Sequence, residues 1–338
     1  MTRHTRDLIV VGASAGGVEA LGGFVAGLPA DLAASVLVVL HLPAGGTSAL
    51  PAILSRAGVL PAHSATDGMT LDYSTIYVAP PGHHLLVAGE RVALSHGPTE
   101  NGRRPAIDSL FRSAAIVGGP RVTGVLLSGV LDDGVAGLVS IASRGGRVIV
   151  QDPAEALYSG MPRHAMEALE VDHVLTVDAM GAVLDKLCRE EVELDGAPAP
   201  SRLMRLENNI ATTDSSAQVG RDPEQLGRMS GFSCPDCDGV LVEITPGSRY
   251  RCRVGHAWTA EALLDAQGSA WERALWAAIR TLAEKAALSQ RMADNARQRG
   301  STGLAGRYDL TAEEALDAAA LLRAPLNVAG RSEPDELR

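Results

Sequence analysis

The stretch LIVVGASAGG, residues 8–17, decides the fold expected for this chain. A short run of β-branched residues leads directly into glycines, as expected of a buried strand that ends in a tight turn before a helix. The serine in this turn, Ser14, follows the carboxyl end of the strand. Ligand and catalytic sites of open α/β sheets lie at that edge. Residues 8–17 therefore predict both a sheet edge and a candidate site on it.

The same pattern continues outward to about residue 190. Further apolar runs occur at 35–42, 75–80, 121–129, 146–152 and 172–177, and helix-like segments lie near 17–27, 48–57, 106–118, 134–144, 161–169 and 178–189. The runs are almost continuously hydrophobic, which is typical of strands covered by helices on both faces. The expected fold is α/β, a doubly wound and mostly parallel sheet in a Rossmann-like three-layer α/β/α arrangement. Residues 84–96 instead predict a peripheral hairpin.

The composition fits a globular protein of this class. Of 338 residues, 46% are hydrophobic and 21% charged, and 36 glycines favour many tight turns. The net charge of −10 argues against nucleic-acid binding, which depends on Lys and Arg. No run approaches the ~20 apolar residues of a membrane helix, and the N-terminus lacks a signal-peptide pattern. A cytoplasmic protein that is not an integral membrane protein is expected.

The pattern changes near residue 190, and the length suggests two folded units. The predicted boundaries are an α/β domain over 1–190, a linker over 191–230, a Cys/His segment over 231–260 and a helical C-terminal extension over 261–338. Some helix is expected around 202–210 in the linker. In the extension, apolar residues at helical spacing predict a long helix over 271–299. The rest of it is expected to be weakly ordered, apart from a helix near 311–323.

Three residues that follow predicted strands form a candidate catalytic set. Ser14 lies in a sharp turn before a helix, where the N–H groups of residues 15–17 could hold a developing oxyanion. His41 closes the second strand and could act as a general base. Asp132 or Asp133, which follow the strand at 121–129, could orient the imidazole. Together they point to acyl transfer.

Each of these residues also has an ordinary structural interpretation. Ser14 or either aspartate could merely cap a helix, and a histidine at a strand end is more often structural. A dinucleotide site would need an acidic residue at the end of the second strand, where this chain has His41. The α/β-hydrolase elbow matches Gly12 to Gly16, but it follows several strands and places its acid before its histidine. Three strand ends that supply serine, histidine and aspartate favour acyl transfer.

Collinear motifs make residues 7–188 resemble the catalytic domain of CheB protein-glutamate methylesterases. They are IVVGASAGGVEAL (9–21), VVLHLP (38–43), YVAPPGHHLLV (77–87), RRPAIDSLFRSAA (103–115), GVLLSGVLDDGVAGL (124–138) and QDPAEALYSGMPRHAME (151–167). By position, the resemblance implies Ser14 as nucleophile, His41 as base and Asp133 as the acid. It implies hydrolysis of glutamyl γ-methyl esters on the cytoplasmic helices of methylated chemoreceptors, in chemotaxis, without a catalytic cofactor. Glutamine deamidation is a related activity.

This chain departs from the family pattern at several points. Ala15 stands where a threonine is common, and Val130-Leu131 stand where Met-Gly is common, so the pocket is expected to differ. Usual chemotaxis methylesterases open with a receiver domain, whereas this sequence opens on the catalytic strand. The expectation is a stand-alone catalytic domain whose regulatory protein would act in trans. The alternatives are a triad-bearing scaffold without turnover and an esterase in a non-chemotaxis signalling pathway.

A cluster of cysteines and a histidine follows the predicted linker. Its members make C-x₂-C, fourteen further residues and C-x₃-H: Cys234, Cys237, Cys252 and His256. This spacing suits a tetrahedral structural zinc site, and a segment this small needs such a cross-link. Clustered cysteines also indicate a reducing compartment rather than disulfides. An unmetallated pair of turns is the alternative. The segment resembles the zinc-ribbon-like extension of some receiver-less CheB-like proteins, which implies attachment or regulation.

Overall fold

Runs of β-branched residues form the strands of a central sheet and are buried along most of their length. The computed structural model describes residues 4–41, 45–46, 48–212 and 227–329. Its strands before residue 200 are β1 (His4–Thr5), β2 (Leu8–Ala13), β3 (Ser35–Leu40), β4 (Ala62–Ser64), β5 (Thr75–Val78), β6 (His84–Ala88), β7 (Arg91–Ser95), β8 (Val122–Leu126), β9 (Arg147–Gln151), β10 (His173–Leu175) and β11 (Glu191–Val192). Every residue of β2 and β3 is buried. Continuous burial explains why these runs do not alternate with polar residues.

Seven of these strands form one fully parallel sheet in the order β10-β9-β8-β2-β3-β5-β4. From β2 the chain first moves outward through β3, and later returns to β8 on the other side. The strand order therefore reverses between β2 and β8. Crevices at such reversal points, outside the carboxyl ends of the strands, are where doubly wound sheets bind ligands.

Helices cover both faces of this sheet. They are α1 (Gly17–Ala26), α2 (Leu50–Ala57), α3 (Ile107–Gly118), α4 (Val135–Ser143), α5 (Gly160–Ala168) and α6 (Val177–Cys188). One hydrophobic cluster packs α1, α2 and α6 against one face, and a second packs α3, α4 and α5 against the other. The predicted α/β/α fold is confirmed, and helix ends lie within two residues of the predicted ones.

The remaining strands of this region lie outside the sheet. As predicted, β6 and β7 form a separate antiparallel hairpin, and Leu85 and Val92 bury it against the α3 face. Strand β1 pairs with β11, also antiparallel. Helix α7 (Arg202–Thr212) falls where the linker was expected to hold some helix. It buries Met204 and Ile210, and its last turn accepts a hydrogen bond from Ser95. Residues 213–226 of the predicted linker lie outside the described residues.

A small antiparallel sheet carries the cysteines. Its strands are β12 (Arg228–Ser233), β13 (Val240–Thr245), β14 (Arg249–Cys252) and β15 (Ala257–Thr259), paired in that order. We call residues 228–259 the Cys/His module. By its contacts, this module belongs to the same compact unit as the parallel sheet, which extends to Leu263. The boundaries expected at residues 190, 230 and 260 stay predictions.

Residues 264–338 form a second unit, and 330–338 lie outside the described residues. Helix α8 (Ala260–Gln298) confirms the predicted long helix, and α9 (Thr302–Ala329) is much longer than the helix expected near 311–323. The two helices pack through Ala286, Ala312 and Ala315. Alanines allow close packing but give a weak hydropathy signal, which explains the underestimate. None of the helices described has the length and apolarity to cross a bilayer.

Candidate active site

Ser14 lies in the turn between β2 and α1, where the sequence predicted it. Its N–H donates to the carbonyl of Ser128 (2.9 Å), which lies two residues after the neighbouring strand β8. The Ser128 hydroxyl in turn donates to the carbonyl of Ala15 (2.8 Å). The next residue, Gly16, has φ of 69°, a conformation that glycine adopts without strain. The serine turn is thus fastened to the loop after β8.

His41 and Asp133 complete a chain of hydrogen bonds with Ser14. The Nδ1 atom of His41 lies 3.0 Å from Ser14 Oγ, and its Nε2 atom lies 2.7 Å from Asp133 Oδ2. The side chains of His41 and Asp133 are only 8% and 4% exposed. A buried carboxylate, an imidazole and a serine hydroxyl in this order can activate the hydroxyl as a nucleophile. The three predicted residues meet where the strand order reverses.

The carboxylate of Asp133 also caps a helix, but not the one that follows it. Its Oδ2 accepts the N–H of Ile107 (2.7 Å) and its Oδ1 accepts the N–H of Asp108 (3.3 Å), both in the first turn of α3. The reciprocal contact involves Asp108, whose Oδ1 accepts N–H groups of Gly134 (3.1 Å) and Gly137 (2.6 Å) at the start of α4. The simple expectation that an Asp here caps its own helix was wrong. These bonds lock α3 and α4 around the site.

The two buried carboxyls carry different protonation. Burial opposes ionisation of Asp133, but the hydrogen bond from His41 and the α3 N–H groups hold the pKa of Asp133 below its usual value. Burial and the charge of Asp133 raise the pKa of Asp108 to about 8. The Oδ2 atom of Asp108 has no hydrogen-bond partner among the described residues, and a buried oxygen without a partner costs less free energy in a neutral carboxyl than in a charged one. Of this pair, Asp133, which faces His41, is the carboxyl whose ionised form is favoured.

Two N–H groups beside Ser14 can donate hydrogen bonds to an oxyanion. No hydrogen bond from the N–H of Ala15 or Gly16 occurs among the described residues. The N–H of Gly17, also expected to serve, instead donates to the carbonyl of Ser14 (2.9 Å) as the helix begins. The expectation for Gly17 was wrong because closing the turn uses its N–H.

Sequence reasoning missed three residues around the triad. Asn101 Nδ2 lies 3.4 Å from Asp133 Oδ1, and Asn101 Oδ1 accepts the N–H of Thr259 (2.8 Å). The Thr259 hydroxyl donates to Asp132 Oδ1 (2.7 Å), so Asp132 faces the Cys/His module rather than His41. Burial raises the pKa of Asp132, which the Thr259 hydrogen bond opposes. The third missed residue is Asp108. No short motif encodes these contacts, which join segments up to 158 residues apart.

The four predicted metal ligands also come together. Their ligand atoms all lie within 4.8 Å of one another. The sulfurs of Cys237 and Cys252 are 3.7 Å apart, and His256 Nδ1 lies 3.6 Å and 3.5 Å from the sulfurs of Cys234 and Cys252. Tetrahedral zinc with ordinary bond lengths would separate two sulfurs by about 3.8 Å, and a sulfur and a nitrogen by about 3.6 Å. These separations fit a zinc ion and exceed the ~2 Å of a disulfide.

Comparison with known proteins covers the first half of the chain. A family model for CheB methylesterase matches residues 9–184. The chain is 34% identical over 192 residues to a protein-glutamate methylesterase/protein-glutamine glutaminase of Methanosarcina mazei (54% of this chain, 52% of that protein). It is 41% identical over 184 residues to one from Anaeromyxobacter dehalogenans (54% of each). It thus spans about half the length of the curated relatives it matches.

A solved structure is also similar. The Thermotoga maritima CheB methylesterase catalytic domain superposes with a TM-score of 0.52 at 30% identity, covering 54% of this chain and 98% of that domain. The matched region contains Ser14, His41 and Asp133. The Cys/His module lies beyond it.

Proposed function

Because the chain belongs to the CheB methylesterase family, we propose that it hydrolyses glutamyl γ-methyl esters on chemoreceptors through an acyl-enzyme on Ser14. The observation that carries the proposal is the hydrogen-bonded chain from Ser14 through His41 to Asp133 at the carboxyl edge of the sheet. The relatives' names state the same activity and add glutaminase activity. The family match supports the substrate class, and the geometry supports the chemistry.

The first half of the reaction forms the acyl-enzyme. The Oγ atom of Ser14 attacks the ester carbonyl carbon while His41 Nδ1 takes the hydroxyl proton. The negative oxygen of the tetrahedral intermediate would accept hydrogen bonds from the N–H groups of Ala15 and Gly16. When the intermediate collapses, the bond to the methoxy oxygen breaks, and His41 gives its proton to that oxygen. Methanol leaves, and the glutamyl group stays esterified to Ser14.

The second half restores the enzyme. A water molecule attacks the acyl carbon, His41 Nδ1 takes a proton from it, and the proton then passes to Ser14 Oγ as that bond breaks. The product is a receptor glutamate. Asp133 stabilises the imidazolium in both halves and stays ionised, in line with its lowered pKa. With a glutamine side chain, the same steps would release ammonia, so deamidation is part of the proposal.

Partners and location follow from this proposal. The substrate would be the cytoplasmic helices of methylated chemoreceptors, and the protein would act in the cytoplasm. A regulatory protein in trans is part of the same proposal. Support comes from the family match and from a cluster of cysteines whose sulfurs are not joined as disulfides.

We further propose that the four residues of the Cys/His cluster hold zinc as a structural ion. A bound zinc would supply a cross-link between the turn after β12 and the turn after β14. Because four protein ligands close the coordination shell, no open position is left for catalysis. The sulfur and nitrogen separations support this assignment.

The decisive experiment measures methanol release from methylated receptors. Wild type and a Ser143→Ala control, which changes an exposed serine of α4, should release methanol, whereas Ser14→Ala should release none while remaining folded. A fluorophosphonate probe should label Ser14 in wild type. Labelling without turnover on receptors would overturn the receptor substrate and favour another ester. Receptor binding with neither labelling nor turnover would favour a scaffold.

A further inference from the structure

The Cys/His module contacts residues 99–101, in the loop that precedes helix α3. The first turn of α3 donates hydrogen bonds to Asp133. Strand β15 of the module lies beside residues 99–101, because the N–H of Ala257 donates to the carbonyl of Thr99 (3.1 Å) and the N–H of Asn101 donates to the carbonyl of Ala257 (2.8 Å). Ala257 directly follows His256, a member of the metal-ligand cluster. The backbone of β15 therefore fixes where Asn101 lies.

The side chain of Asn101 bridges the module and the triad. Its Oδ1 accepts the N–H of Thr259 (2.8 Å), and this bond turns its Nδ2 toward Asp133 Oδ1 at 3.4 Å. Among the described residues, Asn101 and His41 are the two side chains that hydrogen-bond to the Asp133 carboxylate. The backbone of Asn101 has φ of 53°, a left-handed conformation that asparagine tolerates better than most residues. The bridge thus has a fixed geometry.

A buried ionic network holds this loop against the module. Glu100 accepts two hydrogen bonds from Arg112 of α3 (2.7 Å and 3.1 Å) and one from Arg251 of β14 (3.3 Å). Each of these three side chains is at most 2% exposed. Arg251 also donates to the carbonyl of Gly255, beside His256. The loop and the metal-ligand turn therefore behave as one packed assembly.

From these contacts we infer that the Cys/His module supports the catalytic triad, with Asn101 as a positioning residue that orients Asp133. The inference rests on the proposed esterase function. Loading of the metal site would fix β15, β15 would fix Asn101, and Asn101 would fix the carboxylate that aligns His41. The module then serves as a built-in activator whose metal content sets the rate of acyl transfer. A second contact, from Thr259 to Asp132, reinforces the same link.

The first test substitutes Asn101 in two ways. Asn101→Gly removes the amide without straining a positive φ, and Asn101→Asp keeps the acceptor for Thr259 but places a carboxylate beside Asp133. A hydrogen bond to a charged group is worth roughly a factor of ten or more, so kcat should fall about tenfold in Asn101→Gly with KM unchanged. The Asp variant should be slower still, because like charges repel. A purely structural role predicts the reverse order, since glycine is the larger deletion.

The matched control is Thr99→Val. It removes a hydrogen bond between the same loop and Asp236 of the module but does not touch the triad. Its kcat should equal that of wild type. Equal kcat values in wild type, Asn101→Gly and Thr99→Val would overturn the positioning role.

The second test removes the metal. Zinc content, the rate of fluorophosphonate labelling at Ser14 and hydrogen exchange of residues 99–103 would be measured before and after treatment with a chelator. In wild type, metal depletion should slow the labelling of Ser14 and speed hydrogen exchange of residues 99–103. In Asn101→Gly, depletion should slow labelling little further, because the metal is proposed to act on Asp133 through Asn101. If metal depletion slowed labelling by the same factor in wild type and in Asn101→Gly, the two effects would be independent and the coupling would be overturned. Wild-type protein that purifies without bound metal would also overturn it. Labelling needs no receptor, so failure of the receptor substrate would be seen separately.

Discussion

The Nε2 atom of His41 lies 2.7 Å from Asp133 Oδ2, and this leaves Nδ1, not Nε2, to face Ser14 at 3.0 Å. Chymotrypsin-type proteases use the two ring nitrogens the other way round. Here the neutral imidazole must carry its proton on Nε2 so that Nδ1 can accept from the serine. Asp133 enforces that tautomer, since its charged carboxylate can only accept a hydrogen bond.

Asp133→Asn should therefore remove the charge that enforces this tautomer and, because both carboxylate oxygens accept N–H groups of α3, also weaken the cap on that helix. An asparagine amide can donate to Nε2 and so favour a proton on Nδ1, which cannot then act as a base. We expect kcat to fall about 10⁴-fold with KM little changed. Steady-state methanol release and the fluorophosphonate labelling rate measure this. A loss below tenfold in a folded variant would contradict the tautomer argument.

Gly16→Ala should damage both folding and activity. A Cβ at Gly16 would lie 2.8 Å from Ser128 Oγ and 2.9 Å from Leu157 Cβ, and φ of 69° is unfavourable for alanine by about 1–2 kcal/mol. Urea denaturation should show the loss of stability, and labelling of Ser14 should slow.

The matched control for that change is Gly22→Ala in the middle of α1. A Cβ at Gly22 would meet no atom within 4 Å. This change should stabilise the protein by about 0.4–1 kcal/mol and leave activity unchanged. Equal effects of the two substitutions would refute the argument from the turn.

Asp108 should make stability depend on pH. Its pKa is raised to about 8, so between about pH 4 and pH 8 the folded chain holds a proton that the unfolded chain releases. This contribution is full at low pH and is lost as pH rises through the folded pKa. Asp133, with a lowered pKa, acts only in more acidic solution. Asp108→Asn removes the titration.

Urea midpoints at pH 6 and pH 9 would test this. The midpoint of wild type should fall more between these pH values than that of Asp108→Asn. The comparison between the proteins cancels groups that both share, such as the histidines. Identical pH dependence in the two would show that Asp108 is ionised at pH 6.

Glu100→Gln should destabilise the fold strongly. The change leaves the buried guanidinium groups of Arg112 and Arg251 short of charge compensation, and breaking a buried ionic network costs about 3–5 kcal/mol. Thermal and urea unfolding would measure it. As a control, Asp185→Asn breaks an exposed pair with Arg189 and should leave the midpoint unchanged.

Metal analysis should separate the two kinds of cysteine. Cys237→Ser removes a member of the Cys/His cluster and should lower both the zinc content and the thermal midpoint, since zinc binding contributes to folding. Cys188→Ala changes a buried cysteine at the end of α6, outside the cluster. It should keep its zinc. Zinc retained in Cys237→Ser would argue against the ligand set.

The sequence predicted the local features well because they have local causes. Strand β2 and its turn were evident from apolar residues followed by glycines, and the spacing of Cys234 and Cys237 indicated one half of a metal site. The positions of Ser14 and His41 at strand ends implied a shared edge, because parallel strands all end there. Such inferences need only the periodicity of apolar residues, a turn motif in the sequence and the spacing between ligand residues.

The features that were missed depend on contacts between distant segments. Asp108 looked like an ordinary polar residue at a helix start, although it caps α4 from another helix. Asn101 gains its position from a strand more than 150 residues later. Neither residue type nor spacing records which segments meet in space.

The antiparallel pairing of β1 with β11 has an evolutionary consequence. His4 lies opposite Val192, so the segments that precede and follow the parallel sheet in the chain are neighbours in space. Ends that meet at one spot allow circular permutation and the grafting of whole domains without strain on the interior. A fold of this kind can accept different additional domains at one place on its surface while the residues of the active site stay unchanged.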